Sequence, residues 1–177
     1  PFIIFGVLTV LFFYFLVKDL YGRNLAILAS VFLSLDAYHT LASQSGLLEP
    51  ILLFFIILSL WFFNKGFKSS VYFIFSAIFF ALALLSKYFA LSLVPVFLFL
   101  LIFNKERKKI IKDWKFYLAI IMFIVIISPL IIYNFKMLRT RGHFDMQLAF
   151  LSGQEQNDWR SINERLVGAG IANSFFG

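Results

Sequence analysis

Few residues in this chain could do chemistry, and two of them stand where an apolar run begins or breaks: Glu49 and Lys87. Glu49 opens the run PILLFFIILSLWFF (50–63). A carboxylate at the mouth of a membrane-length helix costs free energy to hold there, so it calls for a partner or a task. Pro50 suits the first position of a helix, where no intrahelical donor is needed, and the positive end of the helix dipole favours the acid beside it. Glu49 therefore reads as an outward-facing general base or metal-binding carboxylate, or else as an interfacial acid satisfied by water and the helix start. Lys87 interrupts LLSKYFALS. A lysine there reads, on its own, as snorkelling from a helix turn to the headgroups. His39 follows Asp36 by three residues and His143 precedes Asp145 by two. Two ligands do not make a metal site, so the first pair reads as a polar helix end and the second as loop surface or a substrate contact. No metal ligand set is assigned, and the sequence leaves the part of a divalent cation open.

The elements that must position these groups are apolar. Six runs stand out, at about 1–17, 25–41, 48–63, 70–86, 88–103 and 116–135. Several fall short of the ~20 residues that a perpendicular membrane helix needs. Between them lie KDLYGRN (18–24), a polar strip (38–47), NKGFKSS (64–70), Lys87 alone, and NKERKKIIKDWK (104–115). Loops 18–24, 64–70 and 104–115 together hold ten of the 16 basic residues, the strip 38–47 none, and the turn at 87 one. Positive charge stays in the cytoplasm, which puts these three loops inside and Glu49 and Lys87 outside. Two short helices meeting near Lys87 keep that sidedness; one long span over 70–103 would put two basic loops on opposite faces. Trp61, Trp114 and Tyr117 fall at the interfaces as belt residues.

Composition agrees with this reading. Of 177 residues 62% are hydrophobic and 14% charged, far from the roughly 25% charged of a soluble domain, and 26 are phenylalanine. Strand alternation is absent from the apolar runs, so backbone hydrogen bonding in lipid leaves helices. The expected fold is an all-α polytopic bundle of about six membrane helices over 1–135, with an external or interfacial segment over 136–177. Amphipathic helices are expected in that segment near 144–151 and 158–167. The net charge of +7 sits in short loops, where it sets topology, and no nucleic-acid site is read from it. Lys105, Arg107, Lys108 and Lys109 read as topology and anionic-lipid contacts. With no cysteine, disulfides and thiolate sites are excluded. The chain opens on Pro1 inside an apolar run, as a piece of a longer protein would.

The order of parts resembles a known family. A helix leads to the turn Tyr21-Gly22-Arg23, then come an alanine- and leucine-rich helix, a short outer strip, an acid opening the next span, and LLSKYFALSLVPVFLFL. This is similar to the GT-C superfamily of polyprenyl-phosphate-sugar glycosyltransferases, of the protein mannosyltransferase and aminoarabinose transferase type. The family's outer loop reads Ser-Arg-x-x-x-x-Asp/Glu; here Ser43 and Glu49 match, and Gln44 stands where the arginine would be. Lys87 with Pro95, and SPLIIYNFKMLRTRGHF (128–144), resemble further family features.

The resemblance implies a multi-pass cell-membrane enzyme moving a sugar from a polyprenyl-phosphate donor to a protein or lipid acceptor outside. Glu49 would be an active-site carboxylate, with Lys87, Gln44, Arg141 and His143 as substrate contacts and Arg139 as a further cation. The family's leading catalytic aspartate would lie upstream of Pro1. Such transfer needs a base for the acceptor's proton and cations for the departing phosphate at one depth of the bilayer. A transporter or lipid flippase, and a non-catalytic membrane scaffold, are the rival readings.

Overall fold

The computed structural model describes residues 2–145, 148 and 149, and every regular element among them is helical. In chain order these are α1 (Phe2–Tyr21), α2 (Arg23–Leu35), α3 (Ala37–Gln44), α4 (Glu49–Gly66) and α5 (Val71–Ser86). A 3-10 turn (Tyr88–Ser92), α6 (Leu93–Phe103), α7 (Arg107–Lys112) and α8 (Trp114–Arg141) follow. Among the described residues α1, α4 and α8 are long and apolar enough to cross a membrane, whereas α5 and the stretch Tyr88–Phe103 are shorter. Six apolar runs thus become helices of unequal length.

The departures from the sequence expectation have local causes. The run 25–41 is broken at Asp36, and α2 and α3 meet there at 57°. Asp36 is extended, and its carboxylate accepts the His39 N–H at 2.6 Å, which caps the start of α3. An N-cap satisfies donors that a continuing helix would have bonded, so the polar strip coils into α3 instead of forming a loop. Gly46 follows with φ +71, a backbone state that side chains disfavour, and turns the chain into α4. The basic stretch 104–115 also differs from expectation, since it contains α7. The break at Lys87 agrees: its backbone is extended between α5 and the 3-10 turn.

Contacts divide the chain into two compact units, the first ending at Leu130 and the second opening at Ile131. In the first unit α4 and α5 form an antiparallel hairpin whose register can be followed along its length. Phe62 stacks near Tyr72, Phe63 meets Phe73, and Phe55 meets Phe79. At mid-length the Ser59 hydroxyl donates to the Ser76 carbonyl at 2.9 Å and the Ser76 hydroxyl donates to the Ser59 carbonyl at 2.8 Å. Both serines are buried. Small residues let the two backbones approach, and the reciprocal bonds can form at one register only. Near the end of α4, Gly66 lies against the ring of buried Phe73, where a Cβ would come within 2.6 Å of ring atoms.

Helix α1 runs parallel to α4. Phe5 packs on Phe54 near the start of both helices, and Phe15 stacks on Trp61 further along. Near their ends Asp19 accepts from the Trp61 indole at 2.8 Å, while Lys65 sits 3.7 Å over the same indole and 3.8 Å from Asp19. Loops 64–70 and 104–115 come together as well. Asp113 accepts from the Ser70 hydroxyl and, at 3.0 Å, from the Lys115 N–H, which together hold its carboxyl below the ordinary range. The three basic loops therefore share one end of the bundle. In α8 Pro129 has no N–H for the Val125 carbonyl, and the Ser128 hydroxyl donates to that carbonyl instead, at 2.8 Å.

In the second unit the chain returns after α8, where the Asp145 N–H donates to the Asn134 side chain at 3.0 Å. The helix expected near 158–167 lies outside the described residues, as do part of 144–151 and most of 136–177.

Gly66→Ala should lower the unfolding temperature of the detergent-solubilised protein, at a cost of about 1–3 kcal/mol for overpacking against the Phe73 ring. Combining it with Phe73→Leu should recover part of that loss, since the smaller side chain vacates the contested space. A thermal-shift comparison of the single and double variants checks this.

Candidate functional site

The α4–α5 register brings the start of α4 opposite the end of α5. Glu49 is the first residue of α4, set there by Pro50, which occupies the first turn without needing a donor and is itself buried. Lys87 is the residue at which α5 stops; its N–H still bonds the Ala83 carbonyl at 3.0 Å while its own carbonyl accepts from Ala90 at 3.2 Å. Across the gap Lys87 Nζ donates to Glu49 Oε1 at 2.8 Å. The side chains are 37% and 28% exposed, for lysine and acid respectively, so water still reaches both. Such a pair is stabilised modestly, by up to about 1 kcal/mol, and can be opened by a competing charge.

The pair lies in a cleft of about 380 Å³ formed by α2, α3, α4 and the 3-10 turn. Asp36, Tyr38 and His39 bring further polar groups to its lining, and Leu33, Ala42, Leu53, Ile56 and Phe89 make the rest apolar. Two carboxylates and one ammonium thus border a single space beside an apolar wall. That arrangement can receive an anion at Lys87 and take a proton at a carboxylate. Among the described residues no three His, Asp or Glu side chains group where a cation could be held.

Gln44 is exposed at the end of α3 and lines an adjoining cleft with Gly6, His39 and Ser43. His39 stands between the two clefts, and its Nε2 lies 3.2 Å from the Gly6 carbonyl. A carbonyl only accepts, so that nitrogen carries a proton, and the ring ties α3 to α1 instead of joining Asp36 as a ligand. Arg141 and His143 belong to the second unit: Arg141 is exposed in the last turn of α8, and His143 is buried with Nδ1 2.7 Å from the Phe144 carbonyl.

Asp36 is the lining residue that sequence reasoning assigned to a helix end alone. Its signal was present: it is the one carboxylate interrupting the run 25–41. A second cavity, of about 190 Å³ between α4, α5, α6 and α8, is lined by Phe63, Phe80, Phe97, Phe116 and Phe123 and by Ser76. The Ser76 hydroxyl is engaged with Ser59, so that cavity offers no group for chemistry.

Residues 1–133 match the family model described as dolichyl-phosphate-mannose-protein mannosyltransferase. No curated protein and no solved structure matches the chain.

If the pair stabilises the fold as its geometry implies, Lys87→Met and Glu49→Gln should each destabilise, by about 1 kcal/mol, because each leaves a half-buried partner alone. The double variant should lose less than the sum of the two. Denaturation midpoints of the four proteins in one detergent decide it, and strict additivity would mean that the two charges do not interact.

Proposed function

Because the chain belongs to the dolichyl-phosphate-mannose-protein mannosyltransferase family, which are membrane glycosyltransferases of the GT-C kind, we propose a specific transfer for it. It moves a sugar from a polyprenyl-phosphate donor to a protein or lipid acceptor on the extracytoplasmic face of the cell membrane. The observation that carries this reading is the 2.8 Å pairing of Glu49 with Lys87 in one cleft, at the end of the bundle away from the three basic loops. Positive charge retained in the cytoplasm makes that end the outer one, in a multi-pass arrangement. Residues 136–177, the first six of which still belong to α8, are then proposed as the external segment.

The step has simple bookkeeping of atoms. The acceptor hydroxyl oxygen bonds to the anomeric carbon, the bond from that carbon to the phosphate oxygen breaks, and the phosphate leaves with the electron pair. Lys87 meets the negative charge gathering on the phosphate, and Glu49 takes the hydroxyl proton. While Lys87 stays on Oε1, one of the two oxygens that could receive the proton is engaged. Arrival of the donor phosphate draws the ammonium away, so donor binding readies the base. An upstream aspartate would share the work at the reacting carbon. Gln44, Arg141 and His143 are proposed substrate contacts, with Gln44 unable to supply the charge of the arginine that it replaces.

The full-length protein in vesicles, supplied with radiolabelled polyprenyl-phosphate sugars, tests the assignment. Glu49→Gln should slow transfer by about 10²-fold or more, in keeping with loss of a positioned base. Lys87→Ala should raise the KM for the lipid donor as well as lower kcat. Normal transfer by Glu49→Gln would remove Glu49 from the site, and solute uptake without donor consumption would favour a transporter.

A further inference from the structure

Two features at the end of the bundle that carries the basic loops take no part in the cleft around Glu49 and Lys87. The first is the cavity of about 190 Å³ between α4, α5, α6 and α8. Protein interiors are packed with few voids larger than a water molecule, so a space of this size calls for an occupant. Water is a poor one. The walls are the rings of Phe63, Phe97, Phe116 and Phe123 with Ala77 among them, and the Ser76 hydroxyl is already engaged with Ser59. A site without free polar partners stays dry or takes an apolar guest. Ile120 also lines the space and is 43% exposed, so the cavity reaches the outer side of α8, which a bilayer would cover. In that position the nearest apolar guest is a hydrocarbon chain.

The second feature is the charge on α7 and its flanks. Lys105, Lys108, Lys109 and Lys112 are all exposed, and among the described residues none of them forms an ion pair. Lys108 and Lys112 are four residues apart, which sets two like charges side by side on the helix and favours an anion between them. Asp113 is held by the Ser70 hydroxyl and the Lys115 N–H, away from that task. Ile110 of the same short helix is buried in one apolar cluster with Phe63, Phe73 and Ala119, all three of which line the cavity. One side chain therefore joins the cationic helix to the empty space beneath it.

We propose that these two features form a single phospholipid site, separate from the Glu49 cleft. An anionic headgroup rests among Lys105, Lys108, Lys109 and Lys112, whose long side chains can bring their ammonium groups to a phosphate beside α7. One acyl chain of the same lipid enters the cavity past Ile120. Charge alone would hold any anionic surface loosely, and the cavity alone would take any tail. Together they select an amphiphile that is negatively charged at the head, phosphatidylglycerol over phosphatidylcholine. The bound chain fills the gap between α4, α5, α8 and α6, a helix of only 11 residues, and fastens α6 to the others.

Native mass spectrometry of the full-length protein, released from detergent with dioleoyl phosphatidylglycerol or dioleoyl phosphatidylcholine added, gives the test. The wild type should retain one phosphatidylglycerol, about tenfold more tightly than phosphatidylcholine, since each cation near the membrane surface adds to the attraction. Replacing Lys105, Lys108, Lys109 and Lys112 together by glutamine should bring the two lipids within about twofold of each other. Lys68→Gln with Arg23→Gln removes two exposed cations from the other basic loops and should leave the preference as it is. Ala77→Phe fills the cavity and Ile120→Trp closes its exposed side. Each should weaken phosphatidylglycerol binding by about tenfold through lost apolar burial. Ile120 is exposed enough for its replacement to fold, which an unchanged unfolding temperature without lipid verifies.

Equal retention of the two lipids by the wild type would overturn the site, as would loss of the preference in the Lys68 and Arg23 control. Undiminished binding by folded Ile120→Trp would do the same. Several phosphatidylglycerol molecules held alike would mean a lipid annulus only, which also overturns it.

Discussion

The register of α4 against α5 is the constraint on which the candidate site depends. Ser59 and Ser76 bond each other's carbonyls through small, buried side chains, and a shift of one residue along either helix would leave two hydroxyls without those partners. In lipid there is little hydrophobic drive between helices, so close packing and interhelical hydrogen bonds carry much of the specificity. The aromatic rows on either side follow the same alignment, from Phe62 and Tyr72 to Phe55 and Phe79. Ten residues before Ser59 and eleven after Ser76, the alignment delivers Glu49 to Lys87.

Both charged residues occupy helix ends, and the physics of helix ends explains their usefulness. Glu49 sits where backbone N–H groups lack partners and favour an anion; Lys87 sits where extended backbone ends α5. Asp36 repeats the theme at the bend between α2 and α3. Three interruptions in otherwise apolar helices thus gather around one space. Interruptions are costly in a bilayer because they free backbone groups that lipid cannot satisfy, so their clustering on one cleft concentrates that cost where polar groups are needed. At the opposite end, Asp19, Trp61 and Lys65 form a second polar group, in keeping with an interfacial anchor.

Membership of the mannosyltransferase family places glycosyl transfer at the membrane, and the cleft adds a chemical logic to that assignment. Under the proposed transfer, the ammonium held on the carboxylate is a resting arrangement that the donor phosphate would open. Exposed Leu, Ile, Val and Phe side chains over α2, α6 and α8 suit membrane surroundings, since in water so much apolar surface would drive association.

Much of the architecture was legible from the chain alone because it rests on short windows of sequence. Apolar runs without alternation dictate helices, the distribution of lysine and arginine orders the loops, and Lys87 marks a break since a charge there ends an apolar stretch. Asp36 was harder to read: a carboxylate three residues before a histidine suggests a polar pair, yet its capping of α3 bends the run and turns it towards Glu49. Gln44 shows the converse, for its place in a motif says nothing about which cleft its helix face will border. Helix type, apolar class and the order of basic loops were determined by the sequence by itself, since backbone hydrogen bonding and hydropathy act locally. Only the tertiary structure decided that residues 38 positions apart would meet as an ion pair, because that meeting follows from how serine and glycine surfaces let two helices lock together.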